Sequence, residues 1–234
     1  MRAARDGADV LTTFKAERPY PPFTLKGDGL ACERGGRLVF DGLSFEARSG
    51  DILLVTGPNG SGKSTFLRLL AGLLEKSDGQ IVLEGSKPES EIADHLLYAG
   101  HLDAVKGGLS VAENLAFWGA LYGNVVPGAA SGAALEAALT AFALDHLADL
   151  PADVLSAGQK RRLGLARLAL IERPIWLLDE PSVSLDAENV GRLARLIEAH
   201  SARGGIVLAA THADLGLGGA RRLDLRDMSS GAAA

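Results

Sequence analysis

A glycine-rich segment over 57–65 combines residue types that together can bind phosphate groups. It matches the pattern G-x-x-x-x-G-K-[ST]. Glycines let the backbone curl until successive N–H groups face one anion, a curl that Cβ atoms would obstruct. Lys63 would then reach the β and γ phosphates of a nucleotide, and the Ser64 hydroxyl would ligate Mg²⁺. The nucleotide-binding candidates are Gly57, Pro58, Asn59, Gly60, Ser61, Gly62, Lys63, Ser64 and Thr65.

Two adjacent acids, Asp179 and Glu180, follow the apolar run 175–178. Side chains alternate along a strand, so the two carboxylates can point in different directions and do different work. Asp179 would hold Mg²⁺ through water, and Glu180 would orient and deprotonate an attacking water. In isolation, two acids after a strand more often begin a helix or lie in a solvated loop. The phosphate loop upstream favours the catalytic interpretation.

A second candidate anion site lies in the signature segment, Leu155-Ser-Ala-Gly-Gln159, which precedes a basic helical run. It places a serine and a glycine at a helix N-terminus, where backbone N–H groups attract anions. One nucleotide does not need two such sites from one subunit, so this segment is expected to close on a partner's nucleotide. For an isolated segment the default is that Ser156 merely caps the helix. The candidates are Ser156, Ala157, Gly158 and Gln159.

These residues must be positioned by strands that alternate with helices. The strand at 51–56 is apolar at its centre and runs into the phosphate loop, as a buried parallel strand would. The pattern implies an α/β domain with a largely parallel sheet and a helical insertion. Strands are predicted over 24–32, 43–48, 51–56, 80–84, 96–99, 174–178, 205–210 and 221–226. Helices are predicted over 62–72, 158–171 and 186–202, and a long helical middle over 111–150 with an alanine-rich part at 128–143.

The amino-acid composition disfavours several classes of function. The chain has 24 Lys and Arg against 29 Asp and Glu, and the resulting charge of −5 disfavours a protein that grips nucleic-acid phosphates. A single cysteine, Cys32, cannot form an intramolecular disulfide, which fits a reducing compartment. No uncharged apolar run approaches the ~18 residues that span a bilayer. Residues 1–22 lack a secretory pattern and are expected to form a loose extension before a single domain over 23–234.

Five motifs occur in one order: the phosphate loop, the signature segment, Asp179-Glu180, Ser184-Leu-Asp186 and Thr211-His212. In this order and spacing the chain resembles the ABC-type ATPases over 23–226. The resemblance implies a P-loop ATPase fold with a mostly parallel core, an antiparallel β part and a helical subdomain at about 101–171. It implies hydrolysis of ATP with Mg²⁺ by a head-to-tail homodimer, in which the phosphate loop of one subunit and Ser156 of the other enclose each ATP.

The resemblance also assigns roles to residues near the seam of that dimer. Asp186 would cross the seam, and His212 would contact the γ-phosphate and the catalytic water, so that Glu180 and His212 form the catalytic pair. Taken alone, a histidine after an apolar strand is more often structural. The context Ala-Ala-Thr-His-Ala-Asp favours the catalytic role.

Three positions depart from the pattern of most ABC-type ATPases. Arg34 stands where an aromatic residue usually stacks on adenine, so the base would be stacked by a cation or only weakly. His101 stands where a glutamine senses Mg²⁺ and the membrane partner; it is either a metal or water-bridging ligand or a surface loop histidine. Ala157 replaces a glycine of the signature, a change that the fold should tolerate.

With these departures and the segment 105–119, the chain resembles the ATP-binding subunit of the cytochrome c biogenesis haem exporter. That resemblance implies integral membrane permease subunits as partners, a peripheral location on the cytoplasmic face of the cell inner membrane, and no direct binding of haem. The alternatives are another ABC exporter or a soluble ABC ATPase of DNA repair or translation, which would usually show a coiled-coil insertion or a second nucleotide domain. A non-hydrolysing regulator is disfavoured by Asp179, Glu180 and His212 together.

An apolar stripe at helical spacing consists of Val111, Leu115, Trp118 and Tyr122. The favoured interpretation is that these residues pack the core of the helical subdomain. The family resemblance adds that 101–108 and the start of this helix form part of a groove for a coupling helix of the membrane subunit.

Overall fold

The computed structural model describes residues 20–87, 89–123 and 131–225. Its strands are β1 (Thr24–Arg34), β2 (Arg37–Arg48), β3 (Ile52–Thr56), β4 (Asp78–Glu84), β5 (Leu96–Ala99), β6 (Ile175–Asp179), β7 (Ile206–Ala210) and β8 (Arg221–Asp224). Its α-helices are α1 (Lys63–Leu70), α2 (Val111–Tyr122), α3 (Ser131–Ala141), α4 (Ala157–Leu170) and α5 (Ala187–Ala202), and short 3₁₀ turns occur at Ile92–His95, Asp145–Leu147 and Ala152–Val154.

The strands form two sheets. Five strands form a parallel sheet in the order β5-β6-β7-β3-β8, and three form an antiparallel sheet in the order β2-β1-β4. The predicted α/β fold with a parallel core and an antiparallel β part is therefore confirmed. Because β6, β7 and β3 are neighbours, the segments that follow their carboxyl ends meet at one edge of the sheet, where α/β folds bind ligands.

The parallel sheet is buried on both faces, which explains why its strands are continuous apolar runs. Along β6, Ile175 and Leu177 pack on the side of α1 and the antiparallel sheet. Trp176 and Leu178 pack on the other side, among residues of α2, α3, α4 and α5. All five residues of β6 are buried, so the acid at its end is carried by a strand with packed neighbours on each side.

One predicted strand was wrong in extent, and glycine conformation explains the error. The strand predicted over 43–48 begins at Arg37, because Gly35 and Gly36 have φ of 56° and 72° and close a tight hairpin with β1. The helical middle predicted over 111–150 contains α2, α3 and the 3₁₀ turn at Asp145–Leu147 where it is described, and α2 ends at Gly123, which is left-handed with φ of 66°. Residues 128–130 of the alanine-rich part lie outside the described residues. The remaining predicted boundaries agree within two residues wherever they are described.

At the N-terminal side, residues 1–19 of the predicted extension lie outside the described residues. Tyr20 is already in contact with the fold: its N–H donates to the Arg203 carbonyl at 2.8 Å, and its ring lies edge-on to His200. Among the described helices, none combines the length and apolarity needed to cross a bilayer.

Candidate nucleotide-binding site

A cleft of about 580 Å³ opens at the carboxyl edge of the parallel sheet. It brings together the phosphate loop, the end of β6, the segment after β7 and the tip of the β1–β2 hairpin. Predicted site residues from four separate parts of the chain thus share one cavity. Its lining consists of Arg34, Gly35, Arg37, Val39, Asn59, Gly60, Gly62, Lys63, Ser64, Thr65, Glu180 and His212.

The phosphate loop ends where α1 begins at Lys63. Gly62 is the N-cap with φ of 94°, and no side chain caps this helix end. The N–H groups of a first helical turn have no acceptor within the helix, and here that turn lines the cleft. A Cβ at Gly62 would lie 2.7 Å from Val39 Cγ1, so glycine is needed for both space and conformation. The arrangement presents free donors and a positive helix end to an anion.

Lys63 is folded back over the loop. Its Nζ donates to the carbonyl oxygens of Gly57 and Pro58, each at 2.9 Å, and the residue is only 7% exposed. Both acceptors are neutral, so the positive charge stays available for an anionic ligand. The neighbouring Ser61 turns its hydroxyl inward, where it has no hydrogen-bond partner in the described part of the chain. These features fit the phosphate groups of a nucleotide.

Ser64 and Asp179 present a hydroxyl and a carboxylate beside the cleft. The Ser64 hydroxyl donates to Asp179 Oδ1 at 2.8 Å, and the Tyr98 hydroxyl donates to Asp179 Oδ2 at 3.2 Å. Burial raises the pKa of Tyr98, so its hydroxyl keeps the proton that it donates. Over the described ranges no group of three or more His, Cys, Asp or Glu side chains could hold a metal. A hydroxyl and one carboxylate fit Mg²⁺, which keeps waters and takes phosphate oxygens as further ligands.

Glu180 and His212 face each other at the cleft. The Glu180 backbone is left-handed with φ of 49°, and its N–H donates to the Ala210 carbonyl at 2.8 Å. A positive φ is uncommon for a residue other than glycine, and such strain clusters at functional sites. His212 Nε2 lies 3.6 Å from Glu180 Oε1. The arrangement places a carboxylate that can accept a proton beside an imidazole that can contact the same ligand.

The signature segment does not line the cleft of its own subunit. Ser156 caps α4 with a reciprocal pair of hydrogen bonds: its hydroxyl accepts from the Gln159 N–H, and Gln159 Oε1 accepts from the Ser156 N–H. Ser156 and Ala157 are exposed. The capping role is therefore present, and the helix end remains on the surface, where a second copy could reach it.

The exposed loop before α5 lies against the signature segment. A Cβ at Gly158 would be 2.9 Å from the Ser184 carbonyl oxygen, and Ser184 itself has φ of 66°. Asp186 is the exposed N-cap of α5 and accepts from the backbone and side-chain N–H groups of Asn189, each at 2.8 Å. These hydrogen bonds, the backbone one first, lower the pKa of Asp186. The signature segment and Asp186 thus belong to one continuous surface outside the cleft.

The hairpin tip contributes residues that sequence reasoning missed. Arg34 lines the cleft where the sequence predicted it, but Arg37 and Val39 line it too. They were missed because β2 was predicted to begin only at residue 43. The usable signal was the pair Gly35-Gly36, since two adjacent glycines between β-rich runs indicate a hairpin turn.

His101 is not among the residues that line the cleft. It is exposed, and its Nδ1 lies 3.1 Å from Arg68 Nη2 on α1. Arg68 in turn donates from Nε to the Tyr98 hydroxyl at 3.4 Å. The histidine is therefore connected to Asp179 through Arg68 and Tyr98.

A parallel sheet with a phosphate loop after one central strand and an acid pair after another defines a P-loop nucleotide-binding ATPase. The family model described as ABC transporter matches residues 40–183. A cytochrome c biogenesis ATP-binding export protein CcmA of Rhodopseudomonas palustris (strain HaA2) is 50% identical over 210 residues, which are 90% of this chain and 99% of that protein. The same-named protein of Nitrobacter winogradskyi is 51% identical over 193 residues, or 82% and 94%.

Among solved structures, a putative ABC transporter ATP-binding protein from Pyrococcus furiosus superposes with a TM-score of 0.74 over 88% of this chain and all of that one. At 23% identity this likeness shows the fold alone. The chain belongs to the ABC transporter family and, within it, to the CcmA group of cytochrome c biogenesis ATP-binding export proteins. The family predicted from the motifs is confirmed, and the chain is an ABC-type ATPase subunit.

Proposed function

We propose that this chain hydrolyses Mg²⁺-ATP between two copies of itself, and that the cycle drives a membrane partner in haem export for c-type cytochrome biogenesis. The observation that carries the proposal is the cleft that joins the phosphate loop to Glu180 and His212. The 50% identity to export proteins of cytochrome c biogenesis supports the biological role. Covalent attachment of haem to this chain is not expected, because the sequence has no Cys-x-x-Cys-His motif.

Within the cleft, the free N–H groups of α1 and the Lys63 ammonium bind the β and γ phosphates. Ser64 and Asp179 would hold Mg²⁺, which would supply positive charge to neutralise those phosphates. Glu180 accepts a proton from water as the water oxygen bonds to the γ-phosphorus and the bond to the bridging oxygen of ADP breaks. His212 contacts the γ-phosphate, and Arg34 lies on the adenine side.

The second half of the site comes from a partner copy. The signature segment lies exposed and outside its own cleft, and Gly158 packs on the loop that carries Asp186. A head-to-tail homodimer places the capped end of α4 over the partner's nucleotide and Asp186 at the seam. ATP would therefore act as part of the interface, and hydrolysis would open it.

Integral permease subunits are the proposed membrane partner, on the cytoplasmic face of the inner membrane. Val111 and Leu115 are fully buried, as the core-packing interpretation of α2 predicts. In contrast, Leu102 is 71% exposed and Leu121 is 62% exposed, and Lys106 Nζ lies 4.4 Å from the centroid of the Phe117 ring. Phe117 and Leu121 are four residues apart on α2 and therefore neighbours on its surface, and exposed apolar side chains beside a cation support a protein docking surface.

Reversing the charge of Lys106 tests whether this surface binds the permease. Lys106→Glu should weaken co-purification with the permease at least ~tenfold while changing affinity for ATP less than about twofold, because the side chain lies outside the cleft. Trp118→Ala should act in the same direction, since its indole donates to the Ala104 carbonyl beside this surface. Lys76→Glu is the matched charge reversal at another exposed site. An equal loss of assembly and ATP binding would contradict the docking role.

The proposed function is tested by purifying the tagged chain from detergent-solubilised membranes and identifying the molecules that co-purify with it. An integral membrane protein is expected, and cells that lack this chain should lose covalent haem staining of their c-type cytochromes. Re-expression of the wild-type chain should restore that staining. Recovery of ribosomes or DNA in place of a membrane protein would favour a soluble ABC ATPase and refute the transport role.

A further inference from the structure

A buried arginine outside the cleft connects its own helix to two other segments around the site, the residues 179–181 and the loop 100–103. Arg161 lies on α4 and is 4% exposed. A guanidinium has five N–H donors in a rigid fork, and here every one of its nitrogens is engaged. Nε donates to the Pro181 carbonyl (3.3 Å), Nη2 to the carbonyls of Asp179 (3.3 Å) and Glu180 (2.6 Å), and Nη1 to the Gly100 carbonyl (2.9 Å) and Asp103 Oδ1 (3.0 Å).

Three of these bonds hold the main chain that carries the acid pair. The shortest is to the carbonyl of Glu180, the residue whose backbone is left-handed. A strained conformation persists only when surrounding contacts enforce it. Arg161 does not line the cleft, so it acts on a ligand only through the directions in which Asp179 and Glu180 project.

The other two bonds hold the loop 100–103. Asp103 supplies the carboxylate that compensates the buried guanidinium charge. One turn along α4, a Cβ at Gly164 would lie 2.9 Å from the Asp103 carbonyl oxygen, so the loop and the helix are in close contact there. The same loop carries the exposed side chain of Leu102 at the proposed docking surface.

We propose that Arg161 is a positioning residue for ATP hydrolysis. It joins the loop 100–103, the acid pair and the first turns of α4 into one unit. A displacement of the loop by the membrane partner then moves Glu180 and the capped end of α4 together. This inference rests on the proposed function, because it assigns regulation of the same site to a residue that touches no nucleotide.

Arg161→Lys tests the proposal, because an ammonium offers three donors from one point and cannot reproduce five hydrogen bonds to two separate segments. In the full-length chain assembled with its membrane partner, kcat should fall about tenfold or more. KM for ATP and the equilibrium affinity for a fluorescent ATP analogue should change less than about twofold, since the cleft lining is intact. Arg173→Lys is the matched control: that buried arginine also donates to backbone carbonyls, those of Glu172 and Tyr122, and should retain kcat.

Asp103→Asn is a milder second variant, because it keeps the side-chain shape and removes the compensating charge. It should lower kcat severalfold with unchanged nucleotide affinity, and the double variant with Arg161→Lys should fall little below Arg161→Lys alone, since both act through one connection. Wild-type kcat in both single variants would overturn the inference. So would a fall in kcat and affinity together that matches the unfolded fraction. Absence of ATP turnover in the wild-type assembly would instead refute the proposed function.

Discussion

Replacement of Glu180 by glutamine is expected to lower ATP turnover by a factor of about 10²–10⁴ while ATP still binds. Glutamine keeps the size and the hydrogen-bonding reach of the side chain but cannot accept the proton that the attacking water must lose. The backbone hydrogen bonds to Ala210 and Arg161 do not involve the side chain, so the strained conformation should persist. Steady-state ATPase measurements check this result.

The same variant should trap the dimer, because ATP bound between two copies would no longer be consumed. Analytical ultracentrifugation with Mg²⁺-ATP should show the Glu180→Gln chain as a dimer and the wild-type chain as a mixture dominated by monomer. Glu188→Gln is the matched control, since Glu188 lies on the surface of α5 in an exposed pair with Arg192. Near-normal turnover in Glu180→Gln would refute the assignment of Glu180 as the base.

Replacement of Lys63 by alanine should abolish detectable ATP binding. The ammonium is the one side-chain charge that the phosphate loop directs to the β and γ phosphates, and each charge-assisted hydrogen bond contributes about 1.5–3 kcal/mol. Loss of two such bonds predicts an affinity at least ~100-fold weaker. Titration of a fluorescent ATP analogue, followed by fluorescence anisotropy, measures the change.

Stability must be measured beside binding for this variant, because Lys63 also bonds the carbonyls of Gly57 and Pro58. A thermal melt without nucleotide separates the two effects: Lys63→Ala should remain folded at the assay temperature and should gain no stabilisation when ATP is added. Lys76→Ala, at an exposed lysine, should be stabilised by ATP as the wild type is. Wild-type ATP affinity in Lys63→Ala would exclude the phosphate loop as the binding site.

Local patterns in the sequence were sufficient for the fold and the family. The apolar runs of β3 and β6 indicate buried parallel strands, because a strand covered on both faces carries apolar residues on both. The phosphate loop is contiguous, so its glycines, lysine and serine are legible without any tertiary contact. The capping pair of Ser156 and Gln159 is likewise local, with partners three residues apart.

Only the tertiary structure shows which residues that are distant in sequence come into contact. Ser64 and Asp179 are 115 positions apart, and their hydrogen bond exists because β3 and β6 both lie next to β7. Arg37 and Val39 enter the cleft because two left-handed glycines fold β2 back on β1. In the sequence alone, Arg161 is indistinguishable from the other basic residues of its helix. Its role depends on a buried guanidinium that bonds two segments distant in sequence, 100–103 and 179–181, and no local pattern indicates those contacts.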